Sequence, residues 1–149
     1  MKKLLLQMIV CGAALLPFSQ IQAATYGGWA PGKKFTFTVK EKESASLTLG
    51  GKPKMVAVPA GVPNFKKGQK VVFKIGSKGQ LTAPGMSLPF KSDAGSANVY
   101  YIEPSRSHPQ ADIGQVFKDS TGKPNSVALS FFRVKPGTFT TTTVVYTLE

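Results

Sequence analysis

The fold is decided by KKFTFTVKEKESASLTL, residues 33–49, in which apolar and polar side chains alternate. Apolar residues stand at every second position, first as Phe35, Phe37 and Val39 and later as Ala45, Leu47 and Leu49. Alternation is the period of a β-strand, whose successive side chains point to opposite faces. A continuous strand would place all six on one face, interrupted by Glu41 and Glu43. The stretch therefore predicts one long strand or a hairpin of two core strands.

Shorter runs with the same pattern continue along the chain, separated by Gly, Pro, Asn and Ser. They cover residues 55–58, 71–75, 86–90, 99–102, 126–134 and 139–148. No apolar spacing of three and four is long enough to predict a helix, and only 112–118 leaves a helical turn open. About eight strands at regular spacing predict an all-β fold, an antiparallel β-sandwich.

The first 23 residues have the features of a secretory signal peptide. A basic start and an apolar run over 4–16 precede Ala23, and the run is too short to span a membrane. We expect cleavage after Ala23, with cleavage after Ala24 as the alternative. The rest then divides into a Gly-rich flexible arm at 24–34 and a single sandwich domain at 35–149.

The residue counts argue against an enzyme. With one His and one Cys, zinc sites, thiol–histidine pairs and histidine-centred triads are nearly impossible on residue count alone. Cys11 lies in the expected signal peptide, so the exported chain would have no disulfide. Asp93 and Asp112 are predicted to be isolated carboxylates, so no acid–base pair is expected. We expect neither catalysis nor a cofactor.

The charge is strongly basic, with 19 Lys and Arg against 7 Asp and Glu, a formal charge of +12. A solvated lysine surface is the simpler interpretation. The sharper interpretation is attraction to acidic glycans or other polyanions, with Lys66, Lys67 and Lys70 as the binding residues. Nucleic acid is disfavoured because Lys rather than Arg supplies the charge and because the chain is expected to be exported.

Two smaller features are further candidates for ligand binding. Trp29 and Tyr26 would form a sugar-stacking pair on the arm, and Arg106 and His108 lie in the Pro-bounded loop PSRSHP. Loops at the ends of sandwiches often carry binding residues. The simpler alternative for that loop is an exposed turn.

The end of the chain resembles a known family. VKPGTFTTTTVVYTLE, residues 134–149, is a Pro-Gly turn followed by a long alternating strand. This resembles the closing segment of bacterial fimbrial subunits of the chaperone–usher class. Residues 33–49 resemble the N-terminal extension and first strand of cysteine-free colonisation-factor-type pilins, and 81–95 is compatible with their central hairpin. K88-type minor subunits are the alternative sub-family. The arm at 24–34 departs from the pattern of pilins that begin directly with the alternating segment.

The resemblance implies an immunoglobulin-like β-sandwich that is incomplete because its last strand is missing. A periplasmic chaperone would fill the gap during export, and the N-terminal extension of the next subunit would then replace it as an added strand. The candidate donor residues are Phe35, Phe37 and Val39. The candidate acceptor residues share the apolar faces of the last two strands: Val127, Leu129, Phe131, Val144, Tyr146 and Leu148.

The implied function is a structural or adhesive subunit of a fimbria on the bacterial cell surface. Its implied partners are other fimbrial subunits, the periplasmic chaperone, the outer-membrane usher and a host glycan or matrix receptor. The alternative is a self-contained secreted β-sandwich module that binds acidic glycans or other polyanions. The two differ in one property: a complete sandwich would be stable as an isolated monomer, whereas an incomplete one would need a chaperone or an added strand.

Overall fold

The computed structural model describes residues 24–91, 96–103, 105 and 109–149, and it contains no helix within them. The nine strands of this part are β1 (Lys34–Thr48), β2 (Lys54–Met55), β3 (Lys70–Ile75), β4 (Gln80–Ala83), β5 (Met86–Pro89), β6 (Asn98–Ile102), β7 (Gln110–Lys118), β8 (Pro124–Val134) and β9 (Thr140–Leu148). The expected signal peptide, Asp93, Arg106 and His108 lie outside the described residues. The all-β prediction is confirmed.

The strands form one antiparallel sheet that nearly closes on itself. Its order is β5-β4-β3-β1-β9-β8-β7-β6, and β2 adds to β1. A bridge between Phe90 and Val99 joins the two ends of this order. The result is a barrel- or sandwich-like shape with the apolar core inside. Closure of this kind covers the outer edges that an open sheet would expose.

β1 is a single strand shared by two parts of the sheet. Its first half pairs with β3, and its second half pairs with β9. Between Val39 and Glu41 the register shifts, which makes Lys40 the extra residue of a β-bulge. The bulge reverses the alternation, so Ser44 is buried whereas Leu47 and Leu49 are exposed. The expectation that six odd-numbered apolar residues share a face is therefore wrong beyond Val39.

Two strands, β4 and β7, were missed by the alternation analysis. The inward positions of β7 are held by Asp112, Gly114 and Val116, so only its last inward residue is apolar. Gly114 has a packing reason: a Cβ there would lie 2.7 Å from Leu129 Cδ2. The open question of a helical turn at 112–118 is settled in favour of a strand.

Within residues 24–34, expected to be a flexible arm, Trp29 and Tyr26 pack against the core and Lys34 begins β1. Tyr26 N–H donates to Trp29 O at 2.9 Å, and Trp29 N–H donates back to Tyr26 O at 3.1 Å. The Trp29 ring meets Phe35 edge-to-face at 5.1 Å, and Lys118 Nζ lies 4.6 Å from its centroid. Trp29 is therefore only 8% exposed, which leaves too little of the ring free to stack on a sugar. Burial of this large aromatic surface holds the Trp29 turn against the sheet.

Candidate functional site

The candidate donor residues lie in the core of their own chain. Phe35, Phe37 and Val39 are all buried, and Phe37 packs 6.1 Å from the ring of Phe73 on β3. The alternation predicted that these three side chains share one apolar face, and the structure places them so. The face is covered within the same molecule, so the segment folds back instead of projecting away.

The first half of β1 is hydrogen-bonded along one edge over most of its length. Main-chain groups of odd-numbered residues point to β3, as in the bond from Val39 N–H to Gln69 O at 2.9 Å. On the other edge, Thr38 exchanges two bonds with Glu149, of 2.7 and 3.0 Å. Between Lys34 and Phe37 no strand of the described chain pairs with that second edge. A groove of about 340 Å³ lies there, and Lys123 and Pro124 form its opposite wall.

The candidate acceptor residues are brought together as one apolar wall. Cross-strand neighbours on the inner face are Val127 with Leu148, Leu129 with Tyr146, and Phe131 with Val144. All six are fully buried. The sequence located this wall because both strands alternate cleanly.

The loop between β2 and β3 covers this wall. Phe65 packs edge-to-face on Tyr146 with ring centroids 5.3 Å apart, and Val62 is buried in the same core. Tyr146 O–H donates to Pro63 O at 2.5 Å, and burial raises the pKa of this phenol above its ordinary value. The sequence pattern did not predict the burial of Val62 and Phe65. The available signal was the presence of two large apolar side chains in the Pro- and Gly-rich segment 59–65, where no alternation indicates which residues face inward.

Asp112 is not isolated, which corrects the sequence-based expectation. Arg133 holds it with both guanidinium nitrogens: Nη1 donates to Oδ1, and Nη2 donates to Oδ2 at 3.2 Å. The same guanidinium donates to the carbonyl oxygens of Phe132, at 2.9 Å, and Gly61, at 3.4 Å. The pair lies 21 residues apart in sequence on neighbouring strands, so composition could not reveal it. The bidentate ion pair joins β7 to β8, and the bond to Gly61 O ties the β2–β3 loop to the same guanidinium.

The candidate polyanion-binding lysines lie together on the surface. Lys66 begins a turn in which Gln69 N–H donates to Lys66 O at 2.9 Å, and Lys70 begins β3 directly opposite Thr38. Lys66, Lys67 and Lys70 are all exposed. Further along the same outer surface Lys74 stands opposite Lys34. Neither salt bridge of the described chain involves these lysines, so their charge faces solvent.

Two other kinds of feature are absent from the described residues. No group of three or more His, Cys, Asp and Glu side chains gathers there in a way that would hold a metal ion. No helix in this part of the chain is long and apolar enough to cross a membrane. Comparison of the chain with protein-family models, curated proteins and solved structures finds no match.

Proposed function

We propose that the chain is a structural or adhesive subunit of a bacterial surface fimbria that polymerises by donor-strand exchange after export through the periplasm. The observation that carries this proposal is the placement of β1. Its apolar first half fills the core and pairs with β3, and Val39 reaches the acceptor strand β9 opposite Leu148. The same contacts would be made by residues 35–39 of a neighbouring subunit.

Exchange of residues 35–39 between copies preserves the interactions that stabilise the single chain. The single chain and the exchanged polymer contain the same backbone bonds to β3 and the same pockets for Phe35, Phe37 and Val39. The free-energy cost of exchange is therefore little more than the entropy lost on association. An immunoglobulin-like sandwich that has released this strand exposes an apolar groove and unpaired backbone groups. A periplasmic chaperone and an outer-membrane usher are the partners suited to cover them by strand addition.

The bulge at Lys40 supports exchange of the first half on its own. Residues beyond it are fixed by an uninterrupted ladder from Glu41 to Thr48 with β9. Residues before it have an edge, between Lys34 and Phe37, that pairs with no strand of the described chain. The donor in this proposal is therefore 35–39, and the remainder of β1 stays as the subunit's own first strand.

Two engineered disulfides test which part of β1 leaves. Thr36→Cys with Val72→Cys joins directly opposed, outward-facing residues of β1 and β3. Thr48→Cys with Thr140→Cys joins opposed residues of β1 and β9 whose hydroxyl oxygens lie 2.9 Å apart. A matched control, Gln115→Cys with Ala128→Cys, links β7 to β8 and leaves β1 free. The native cysteine, Cys11, lies in the expected signal peptide and would not interfere.

The readout is fibre formation by electron microscopy, with and without a reductant. The proposal expects the 36–72 disulfide to block fibres reversibly, and the 48–140 and 115–128 disulfides to permit them. A block by both β1 disulfides would mean that the whole strand exchanges. Fibres that form normally with the 36–72 disulfide intact, or a wild-type chain that stays monomeric under all conditions, would contradict the proposal.

One observation favours the alternative, a self-contained module for acidic glycans or other polyanions. The single chain already covers its own core, and Lys66, Lys67 and Lys70 form an exposed cluster without salt bridges in the described residues. Binding to a sulfated glycan should then weaken steeply with salt. The triple change of these lysines to Glu should reduce it, whereas Lys123→Glu, in the turn before β8 and outside the cluster, should not. Salt-independent binding would exclude this function.

A further inference from the structure

Two turns at one end of the sheet carry large apolar side chains into solvent. Residues 49–53 follow β1, and residues 135–139 join β8 to β9. The turns are tied together, because Leu49 N–H donates to Phe139 O at 3.0 Å. Phe139 is 79% exposed, Leu49 77% and Leu47 47%. We call these three residues the apolar tip.

The apolar tip is a contiguous patch and not a scatter of single residues. Its three side chains line one open cleft of about 470 Å³ together with Val134. Met55, which pairs with Ala45 on β1, is also highly exposed and extends the apolar surface along β2. Single exposed apolar residues are ordinary, but a patch of neighbouring ones marks an interaction surface.

The bulge in β1 explains why Leu47 belongs to this patch. Without the extra residue at Lys40, Leu47 would continue the inward face begun by Phe35, Phe37 and Val39. The register shift turns it outward, beside Thr141 of β9. The bulge thus places Leu47 beside the exposed residues of the two turns.

The charges around the apolar tip have one sign. Lys52, Lys54 and Lys135 are exposed in or beside the same two turns. The sequence has no Asp or Glu between Glu43 and Asp93, and none between Asp119 and Glu149. Apolar side chains flanked by cations match the chemistry of an anionic membrane surface, where acyl chains lie just beneath negatively charged headgroups.

We propose that the apolar tip docks onto membranes containing anionic lipid, with Phe139 and Leu49 inserted at the boundary between headgroups and acyl chains. The three lysines contact the headgroups. Neither component suffices alone, since shallow apolar insertion and a few lysines each give weak binding, whereas the two together give stable attachment. This inference is independent of the fimbrial proposal, because the tip lies on the second half of β1 and on the β8–β9 turn.

Co-sedimentation with vesicles tests the proposal on the purified protein. Vesicles of phosphatidylcholine mixed with phosphatidylserine should bind it, and vesicles of phosphatidylcholine alone should bind it much less. Phe139→Ala should weaken binding by about tenfold, because it removes the ring that would be buried in the membrane interface on binding. Phe117→Ala is the matched control: Phe117 is also exposed but pairs with Ser126 at the opposite end of β8, so binding should be unchanged.

The lysines are tested in the same way. Lys135→Gln should weaken binding to the mixed vesicles by about fivefold. Its weak binding to vesicles of phosphatidylcholine alone should be unchanged. Lys123→Gln, in the turn before β8, is the control and should have no effect. Thermal unfolding of every variant should match the wild type, because all of these side chains are exposed.

Insertion has a direct spectroscopic signature. Phe139→Trp should show a blue shift of its fluorescence on mixed vesicles, above the constant signal of the buried Trp29, and Phe117→Trp should not. No binding to the mixed vesicles, or equal binding by wild type and Phe139→Ala, would overturn the proposal. Self-association that Phe139→Ala abolishes, without vesicle binding, would also overturn it and assign the tip to contacts between copies.

Discussion

The two halves of β1 look alike in sequence but are held by different interactions. In the first half, Phe35, Phe37 and Val39 are buried and pack against β3 and the Trp29 turn. In the second half, only Ser44 is buried, and the strand is fixed by its continuous ladder with β9. One extra residue at Lys40 separates the two. The first half combines side-chain burial with its pairing to β3, whereas the second half depends mainly on backbone pairing.

The largest change in the free energy of unfolding is expected from a substitution of a buried residue in the first half. Phe37→Ala should lower the free energy of unfolding by about 3–5 kcal/mol, because it removes a buried ring and leaves a cavity. Leu47→Ala, in the second half, should change it by less than about 0.5 kcal/mol, because Leu47 is already exposed. Urea unfolding followed by the fluorescence of Trp29 measures both. Equal losses in the two variants would contradict the contrast between the halves.

The two halves of β1 also differ in how well the alternation of apolar residues predicted them. Alternation located the strands around 71–75, 126–134 and 139–148 and identified their inward residues, because those strands run without interruption. The same rule failed in β1, since Glu41 and Glu43 show that the apolar face is interrupted but not that one residue bulges. A single bulge reverses every side chain that follows it.

The loop that covers the acceptor wall was beyond prediction for another reason. Phe65 and Val62 are placed by tertiary contacts with Tyr146 and its neighbours, and a loop has no period from which to infer a face. The Asp112–Arg133 pair depends likewise on two strands meeting in a particular register. Local pattern specifies elements, whereas these contacts depend on how the elements come together.

The next largest change in the free energy of unfolding is expected from a substitution on β9, the strand that pairs with the second half of β1. Tyr146→Phe removes the bond to Pro63 O and leaves that carbonyl without its partner, so the free energy of unfolding should fall by about 1–2 kcal/mol. Tyr146→Phe keeps the ring, and hence its packing on Phe65 and Phe131. Urea unfolding at neutral pH measures the loss. No loss would mean that the β2–β3 loop is held by apolar packing alone.

This difference should depend on pH in a defined direction. Burial raises the pKa of Tyr146 above 10.0, so the phenol ionises more readily in the unfolded chain than in the folded one. The neutral phenol makes its full contribution to the free energy of unfolding below pH 10.0. That contribution is lost as the pH rises from 10.0 through the pKa of Tyr146 in the folded state. The stability gap between wild type and Tyr146→Phe should therefore narrow above that pH. A gap that stays constant above pH 10.0 would show that the fold does not raise the pKa of this phenol.

A smaller effect of opposite sign is expected at Ser44, the buried residue of the second half. Its hydroxyl oxygen is buried without a hydrogen-bond partner in the described structure. Ser44→Ala should raise the free energy of unfolding by roughly 0.5–1 kcal/mol, because it removes an unsatisfied polar group and little volume. Ser46→Ala, two residues along and only partly buried, is the control and should be neutral. Destabilisation by Ser44→Ala would indicate that the hydroxyl finds a partner in solution.

The smallest effect is expected on the outer face of the first half, where Lys34 and Lys74 stand directly opposite each other. Like charges at such a position repel, whereas opposite charges attract. Lys74→Glu should therefore stabilise the fold by roughly 0.2–1 kcal/mol, and Lys74→Gln by less, because it removes repulsion without adding attraction. Both gains should shrink at high salt, since exposed charges are screened over about 10 Å already at 0.1 M ionic strength. Urea unfolding at low and high salt measures the series. A gain from Lys74→Glu that persists undiminished at high salt would mean that the pair acts through packing, and the first half of β1 would then depend on its outer face as well as on its buried one.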